Sequence, residues 1–347
     1  MVWAGMVIFN AASASEPLVI DVNAAIQFAT LPDGVRYPEG IAANPATGDI
    51  YVATFDFGPN ANKLMRFSKN GQLSAIRDFG GTPMLGLGFG PTDDKVYILN
   101  MGTSKVQRIA AQFDSNTAVE DVASVPNILA PGPRAITNPD GTNDTITFGS
   151  NGFPAPNGMV FDRSGNLYFS DSFQGAIFKI ANVASCTKPC AVTTVAHDPL
   201  LATAGFPPFG ANGIALSADE SAMFIANTGD NRVLKMDMAS NAISVFAESV
   251  HGADGVVFDD LGRLWVCANQ ADQVVALSET GRMIARLGSF LGIRKDGTPN
   301  GLLFPASPVI VGGWMYVTNL ALPLTGGDEP ERDVTRWTVS RMKLPSR

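Results

Sequence analysis

The segment Asn157-Gly158-Met159-Val160-Phe161, followed after a short turn by Leu167-Tyr168-Phe169, decides the fold of this chain. It joins an amide residue, a glycine, an apolar run, a hairpin turn at Arg163-Ser164-Gly165-Asn166 and a second apolar run carrying an aromatic. The same phrase recurs. Glu39-Gly40-Ile41 precedes Ile50-Tyr51-Val52, Asn212-Gly213-Ile214-Ala215-Leu216 precedes Met223-Phe224-Ile225, and Asp254-Gly255-Val256-Val257-Phe258 precedes Leu264-Trp265-Val266. Looser copies are Leu85-Gly86-Leu87 with Val96-Tyr97-Ile98, and Pro305-Ala306-Ser307 with Met315-Tyr316-Val317. Six strand–turn–strand units predict an all-β ring, a six-bladed β-propeller.

Working outward from the third copy, strands are expected at residues 158–162, 167–171, 176–180 and 191–196. Four antiparallel strands make a blade. Further strands are expected at 105–109 in the second blade, 232–236 and 242–246 in the fourth, and 273–277 and 283–287 in the fifth. The last blade supplies 308–311, 314–319 and 335–342 but no fourth strand, whereas residues 25–30 precede the first blade without a partner. The N-terminal strand is therefore expected to close the last blade and remove the open edge of the ring.

The bulk composition suits this reading. The 347 residues are 46% apolar, with 35 glycines and 23 prolines to serve many short strands and turns. Residues 21–347 read as a single propeller domain, and residues 1–20 as a signal-peptide remnant or a disordered tail. Residues 2–9 are apolar and Ala12-Ser13-Ala14 fits a signal-peptidase site, although no Lys or Arg precedes the run. The expected location is periplasmic or secreted, with the cytoplasm as the alternative. A net charge of −8 without a Lys/Arg cluster argues against a nucleic-acid partner, and no segment is long and apolar enough to predict a membrane span. A small-molecule substrate is the expected partner. Cys186 and Cys190 flank a three-residue loop and suit a local disulfide, while Cys267 reads as an apolar filler inside a strand.

The ring geometry places the first residue of every repeat at one mouth of a shared central channel. In four repeats that residue carries an oxygen ligand: Glu39, Asn157, Asn212 and Asp254. These four are the candidate metal ligands. The second strand of each blade returns to the same mouth, and its end is polar in Asn100, Asp171, Asn227, Asn269 and Asn319, with Thr54 in the first blade. Asp171, Asn227, Asn269, Asn319 and the nearby His251 are the candidate surrounding shell, against the alternative that Asn and Asp simply favour strand ends.

With these residues in place, the chain resembles the gluconolactonase, regucalcin and luciferin-regenerating enzyme family over roughly residues 35–320, with diisopropyl fluorophosphatase a more distant relative. The resemblance implies that Glu39 in Pro38-Glu39-Gly40, Asn157 in Pro156-Asn157-Gly158 and Asn212 in Ala211-Asn212-Gly213 bind calcium. It implies the catalytic role for Asp254 in Ala253-Asp254-Gly255. One departure stands out. Regucalcin-like members carry an Arg two residues before the third-blade Asn and an Asp just after it, and here those places hold Ala155 and Gly158. The departure predicts a substrate less polar than a sugar lactone.

An all-oxygen set with two carboxylates suits Ca2+ with its six to eight ligands better than Mg2+. A chain with two histidines, His197 and His251, offers little to zinc, copper or iron. No G-x-S-x-G or phosphate-cradling motif occurs. Three long connections, residues 111–156, 197–211 and 288–305, fall on the metal face. They carry Phe153, Pro154, Phe206, Pro207, Pro208, Phe209, Leu302, Leu303 and Phe304, which suggests an apolar lid. The expected activity is calcium-dependent hydrolysis of a cyclic ester, with Asp254 as base or nucleophile. The alternatives are a strictosidine synthase-like propeller, which would lack the full quartet, and a non-catalytic ligand-binding propeller.

Overall fold

The computed structural model describes residues 18–149 and 153–346. Six four-stranded antiparallel blades surround one axis. Blade 1 comprises Pro38–Ala43, Ile50–Thr54, Asn62–Phe67 and Leu73–Gly80, and blade 2 Met84–Phe89, Lys95–Asn100, Lys105–Ala110 and Glu120–Ser124. Blade 3 comprises Pro156–Phe161, Leu167–Asp171, Ala176–Ile180 and Thr193–His197, and blade 4 Ala211–Leu216, Ala222–Asn227, Arg232–Asp237 and Ile243–Glu248. Blade 5 is Ala253–Phe258, Leu264–Ala268, Gln273–Leu277 and Met283–Leu287. Blade 6 is Pro305–Val311, Trp314–Asn319 and Thr338–Lys343, completed by Ile26–Thr30 from the N-terminus. The closure expected from the unpaired last blade is present.

The recurring aromatic explains how the blades stack. Side chains of a strand alternate between its two faces, so a strand buried on both sides reads as a continuous apolar run. In the second strand of each blade, Tyr51, Tyr97, Tyr168, Phe224, Trp265 and Tyr316 all turn toward the following blade. Their neighbours Ile50 and Val52 turn back toward the preceding one. Six apolar layers result, one between each pair of successive blades, including the pair formed by blades 6 and 1.

The glycine after each ligand position also has a physical reason. Every innermost strand carries a bulge at this point, between Pro38 and Ile41, Met84 and Leu87, Pro156 and Met159, Ala211 and Ile214, Ala253 and Val256, and Pro305 and Pro308. The inner strands approach so closely that a Cβ at Gly40 would lie 1.9 Å from the Leu85 carbonyl oxygen, and one at Gly86 2.0 Å from that of Asn157. No side chain fits there. Blade 6 has Ser307 in this place, and the Thr318 hydroxyl donates to the Glu39 carbonyl at 2.8 Å, joining the last blade to the first at the axis.

Three features depart from the sequence reading. The connection 111–156 contains the outer strand of blade 2 and a separate hairpin, Arg134–Thr137 with Asn143–Ile146. The connection 288–305 contains the hairpin Phe290–Ile293 with Pro299–Gly301. Val19–Asp21, partly inside the expected tail, runs parallel to Met283–Leu287 as a fifth strand of blade 5. The candidate signal-peptide features of residues 2–14 lie outside the described residues. Cys186 and Cys190 form a disulfide, and Cys267 is fully buried between blades 5 and 6.

Candidate functional site

The bulge that each glycine permits turns the residue before it toward the channel mouth. Glu39, Asn157, Asn212 and Asp254 come together there and line one cavity of about 380 Å³ including its open mouth. All four are nearly inaccessible to solvent. The equivalent positions of blades 2 and 6 are Leu85 and Ala306, so the ring is polar on blades 1, 3, 4 and 5 and apolar on the other two. Asn157 and Asn212 also line the channel beneath, beside Ile41, Met159 and Ile214.

Hydrogen bonding leaves specific oxygens free. Asn269 Nδ2 donates to Asp254 Oδ2 at 2.9 Å, whereas Asp254 Oδ1, Asn269 Oδ1 and Glu39 Oε2 are buried without a partner. Asn157 Nδ2 donates to Ser172 Oγ at 3.0 Å and Asn212 Nδ2 to Thr228 Oγ1 at 2.9 Å. Unpartnered buried acceptors are costly and uncommon in native proteins. Two of the three, on Glu39 and Asp254, belong to carboxylates that line the cavity and form a site built for a donor or a cation, whereas Asn269 Oδ1 lies over Gly252.

The electrostatics agree. Burial pushes Glu39 well above the usual carboxylate range, and the charge of Asp254 pushes it further. Burial likewise raises Asp254 to about 7, against the lowering effect of the Asn269 and Asn212 amides. Two desolvated carboxylates at close quarters resist joint ionisation, and a divalent cation would relieve both. Among the described residues no group of three or more His, Cys, Asp and Glu side chains is placed to share an ion. A cation here would rest on two carboxylates and a set of amide oxygens, a hard donor set that suits calcium.

The surrounding shell expected from the strand ends is corrected by one residue. Ala253 pairs with Ala268, as Pro156 pairs with Asp171, Ala211 with Asn227 and Pro305 with Asn319. Asn269 therefore sits one position beyond the others, and a shift of one reverses the face. It reaches the site. Asp171 instead accepts the backbone N–H groups of Phe173 and Gln174 and the Gln174 amide. Asn227 donates to the Leu200 and Ala202 carbonyls, and Asn319 binds Thr338, Ser340 and the Leu303 N–H. Asn100 likewise caps the turn at Thr103. His251 is exposed in the turn before blade 5 and does not line the cavity. The residues in register with Asn269 are Phe55, Met101, Ser172, Thr228 and Leu320. Sequence reasoning passed over all five, although each follows directly on a strand end that it had named.

The lid is also revised. Pro207, Phe209 and Phe304 line the cavity with Phe55, Leu85, Leu320, Leu322 and Leu324. Leu302 and Leu303 are instead buried between blades, and Pro154 is buried away from the cavity. Phe153 and Phe206 are exposed, as is Pro208. Five rings nevertheless follow one another across the mouth: Phe57 on Phe55 at 4.8 Å, Phe55 on Phe209 at 6.1 Å, Phe209 on Phe173 at 5.3 Å and Phe173 on Phe153 at 5.5 Å. Ala155 is buried in this aromatic cluster. A Cβ at Gly158 would meet the Asn212 carbonyl oxygen at 2.4 Å.

Residues 202–289, which span blades 4 and 5, match the model of the SMP-30/Gluconolactonase/LRE-like region. No curated protein matches the chain. Among solved structures, a luciferin-regenerating enzyme shares 15% identity over 90% of this chain and 93% of its own, with a TM-score of 0.62. The calcium-binding protein regucalcin of Agrobacterium tumefaciens shares 15% over 93% and 95%, also at 0.62. A gluconolactonase of Xanthomonas campestris shares 15% over 96% of each chain, at 0.57. Such identity establishes the fold alone, and the chain is thus a six-bladed propeller whose fourth and fifth blades match the model of the SMP-30/Gluconolactonase/LRE-like region.

Proposed function

We propose that the protein is a calcium-dependent hydrolase of cyclic esters, acting on a substrate less polar than gluconolactone. The observation that carries this reading is the convergence of two buried carboxylates, Glu39 and Asp254, each with a partnerless oxygen, at one apolar-walled cavity. The matched region and the gluconolactonase and calcium-binding neighbours support it.

Glu39, Asn157, Asn212 and Asp254 would hold the ion, which when bound supplies positive charge to polarise an ester carbonyl and stabilise the oxyanion. Asp254 is the catalytic group. Asn269 anchors its Oδ2 and leaves Oδ1 free toward the cavity, either to take a proton from water or to attack the carbonyl carbon itself. Activity rises with pH if Asp254 must be ionised to act, and a bound cation moves that rise to lower pH. Phe55, Phe209, Phe304 and Leu320 exclude water and receive hydrocarbon. Neither Ala155 nor Gly158 offers a group for substrate hydroxyls, which removes a basis for preferring sugars. The Cys186–Cys190 disulfide supports a periplasmic or secreted protein.

The test is a panel of alkyl, aryl and sugar lactones assayed at fixed calcium, with and without chelator. Alkyl and aryl lactones are expected to show higher kcat/KM than gluconolactone, and chelator is expected to abolish turnover. Turnover that survives complete chelation overturns the calcium reading, and a clear preference for gluconolactone overturns the specificity.

A further inference from the structure

Two amides at the site, those of Asn157 and Asn212, could each present either their oxygen or their nitrogen to the cavity, and only the oxygen can meet a cation. What decides the matter is a pair of hydroxyls on the returning strands. Ser172 Oγ lies 2.7 Å from the carbonyl oxygen of Ala211, and Thr228 Oγ1 lies 2.7 Å from that of Ala253. A hydroxyl owns one proton. Since a carbonyl can only accept, both protons are committed to the backbone of the following blade. Each hydroxyl is then left as an acceptor toward the amide on its own blade, so it must face Nδ2 of Asn157 at 3.0 Å and of Asn212 at 2.9 Å. A flipped amide would set its oxygen against an oxygen that has no proton to give.

We infer that Ser172 and Thr228 are positioning residues, which force the amide oxygens of Asn157 and Asn212 toward the ion site. The inference rests on the cation reading proposed above. Both hydroxyls are buried, as are both amides, so water offers no competing partner. Asn269 is arranged differently: its Nδ2 donates to a carboxylate oxygen of Asp254 and its Oδ1 lies over Gly252, so it anchors a ligand and is not itself one. The relay also has a direction: amide of blade 3, hydroxyl of blade 3, backbone of blade 4, then amide and hydroxyl of blade 4 and backbone of blade 5. The carbonyls of Ala211 and Ala253 each belong to the residue just before a ligand. The contact that orients one ligand therefore pins the backbone that carries the next.

Thr228→Val keeps the shape of the side chain and removes the hydroxyl, and Thr228→Ser keeps the hydroxyl and removes a methyl. Calcium chloride is titrated calorimetrically into each cation-free protein, and melting temperatures are recorded with and without calcium. Loss of groups that orient metal ligands typically costs 10–100-fold in affinity. The Val variant is expected to bind calcium about 10–100-fold more weakly and to lose most of its calcium-induced rise in melting temperature, while the Ser variant stays near wild type. Ser172→Ala is expected to behave like the Val variant and provides the test if that protein does not fold. A folded Val variant with wild-type calcium affinity overturns the inference, as does a Ser variant as weak as the Val variant. A wild-type protein that binds no calcium overturns the cation reading itself, and the relay to it.

Discussion

Asp254→Asn tests the electrostatic cost of the site. In the cation-free fold, burial raises the Asp254 carboxyl from the ordinary 3.8 to about 7. Between these values the folded chain holds a proton that the unfolded chain has released, so stability falls as pH rises through the window and is lost in full above about 7. A tenfold change in proton affinity corresponds to about 1.4 kcal/mol. Ionised Asp254 therefore costs the empty fold about 4 kcal/mol at pH 8, of which about 3 kcal/mol is lost between pH 5 and pH 8. An unfolding entropy of about 2.1 cal/mol/K per residue converts the latter to about 4 °C in Tm for a chain of this length.

The assay is thermal unfolding in chelator at pH 5 and pH 8. Wild type is expected to lose about 4 °C more than Asp254→Asn across that interval, and the variant is expected to melt above wild type at pH 8. The difference between the two proteins isolates this carboxyl and its coupling to Glu39 from the many others that titrate. Calcium at about a hundred times its Kd should then raise wild-type stability by about 2.7 kcal/mol and leave the variant almost unmoved. A variant less stable than wild type in chelator at pH 8 would refute the reasoning, because it would mean that Asp254 is satisfied in the empty protein.

Other changes probe the architecture and the cavity. Deleting residues through Thr30 removes the outer strand of blade 6 and the buried Ala29, and is expected to lower Tm sharply or abolish a cooperative melt; an unchanged Tm would show that the ring does not depend on this closure. Gly86→Ala places a methyl against the Asn157 carbonyl and should destabilise by about 3 kcal/mol or more while weakening calcium binding, both read from melts with and without the ion. Phe209→Ala removes a ring from the cavity wall. Its kcat/KM for alkyl lactones should fall about tenfold relative to that for gluconolactone, the equivalent of about 1.5 kcal/mol of apolar contact. Equal losses on both substrates would place Phe209 outside the specificity surface.

The repeat itself was legible in the sequence because its physics is local in the chain. Each copy carries an aromatic to pack on the next blade and a turn between the two strands, and all but the last place a glycine where the neighbouring carbonyl intrudes. These demands recur at fixed spacing, so Tyr51, Gly86 or Trp265 can be read without coordinates. The closure by Ile26–Thr30 followed from counting strands. The quartet was visible for the same reason, since Glu39, Asn157, Asn212 and Asp254 occupy one repeat position.

What tertiary structure alone decided depends on distances between blades. Asp171 and Asn227 look like partners for Asn269 until pairing shows them one residue out of step, turned to their own loops. Ser172 and Thr228 look unremarkable in a strand end, because their role lies in a carbonyl some forty and twenty-five residues away. The apolar half of the mouth was foreseen only in its loops. Phe55 and Leu320 join it because strand pairing sets them opposite the ligand ring, and Leu302 and Leu303 leave it because the inter-blade layers claim them. Periodicity along a chain reveals which positions are equivalent, and only the close packing of six blades about an axis fixes which atoms of those residues meet.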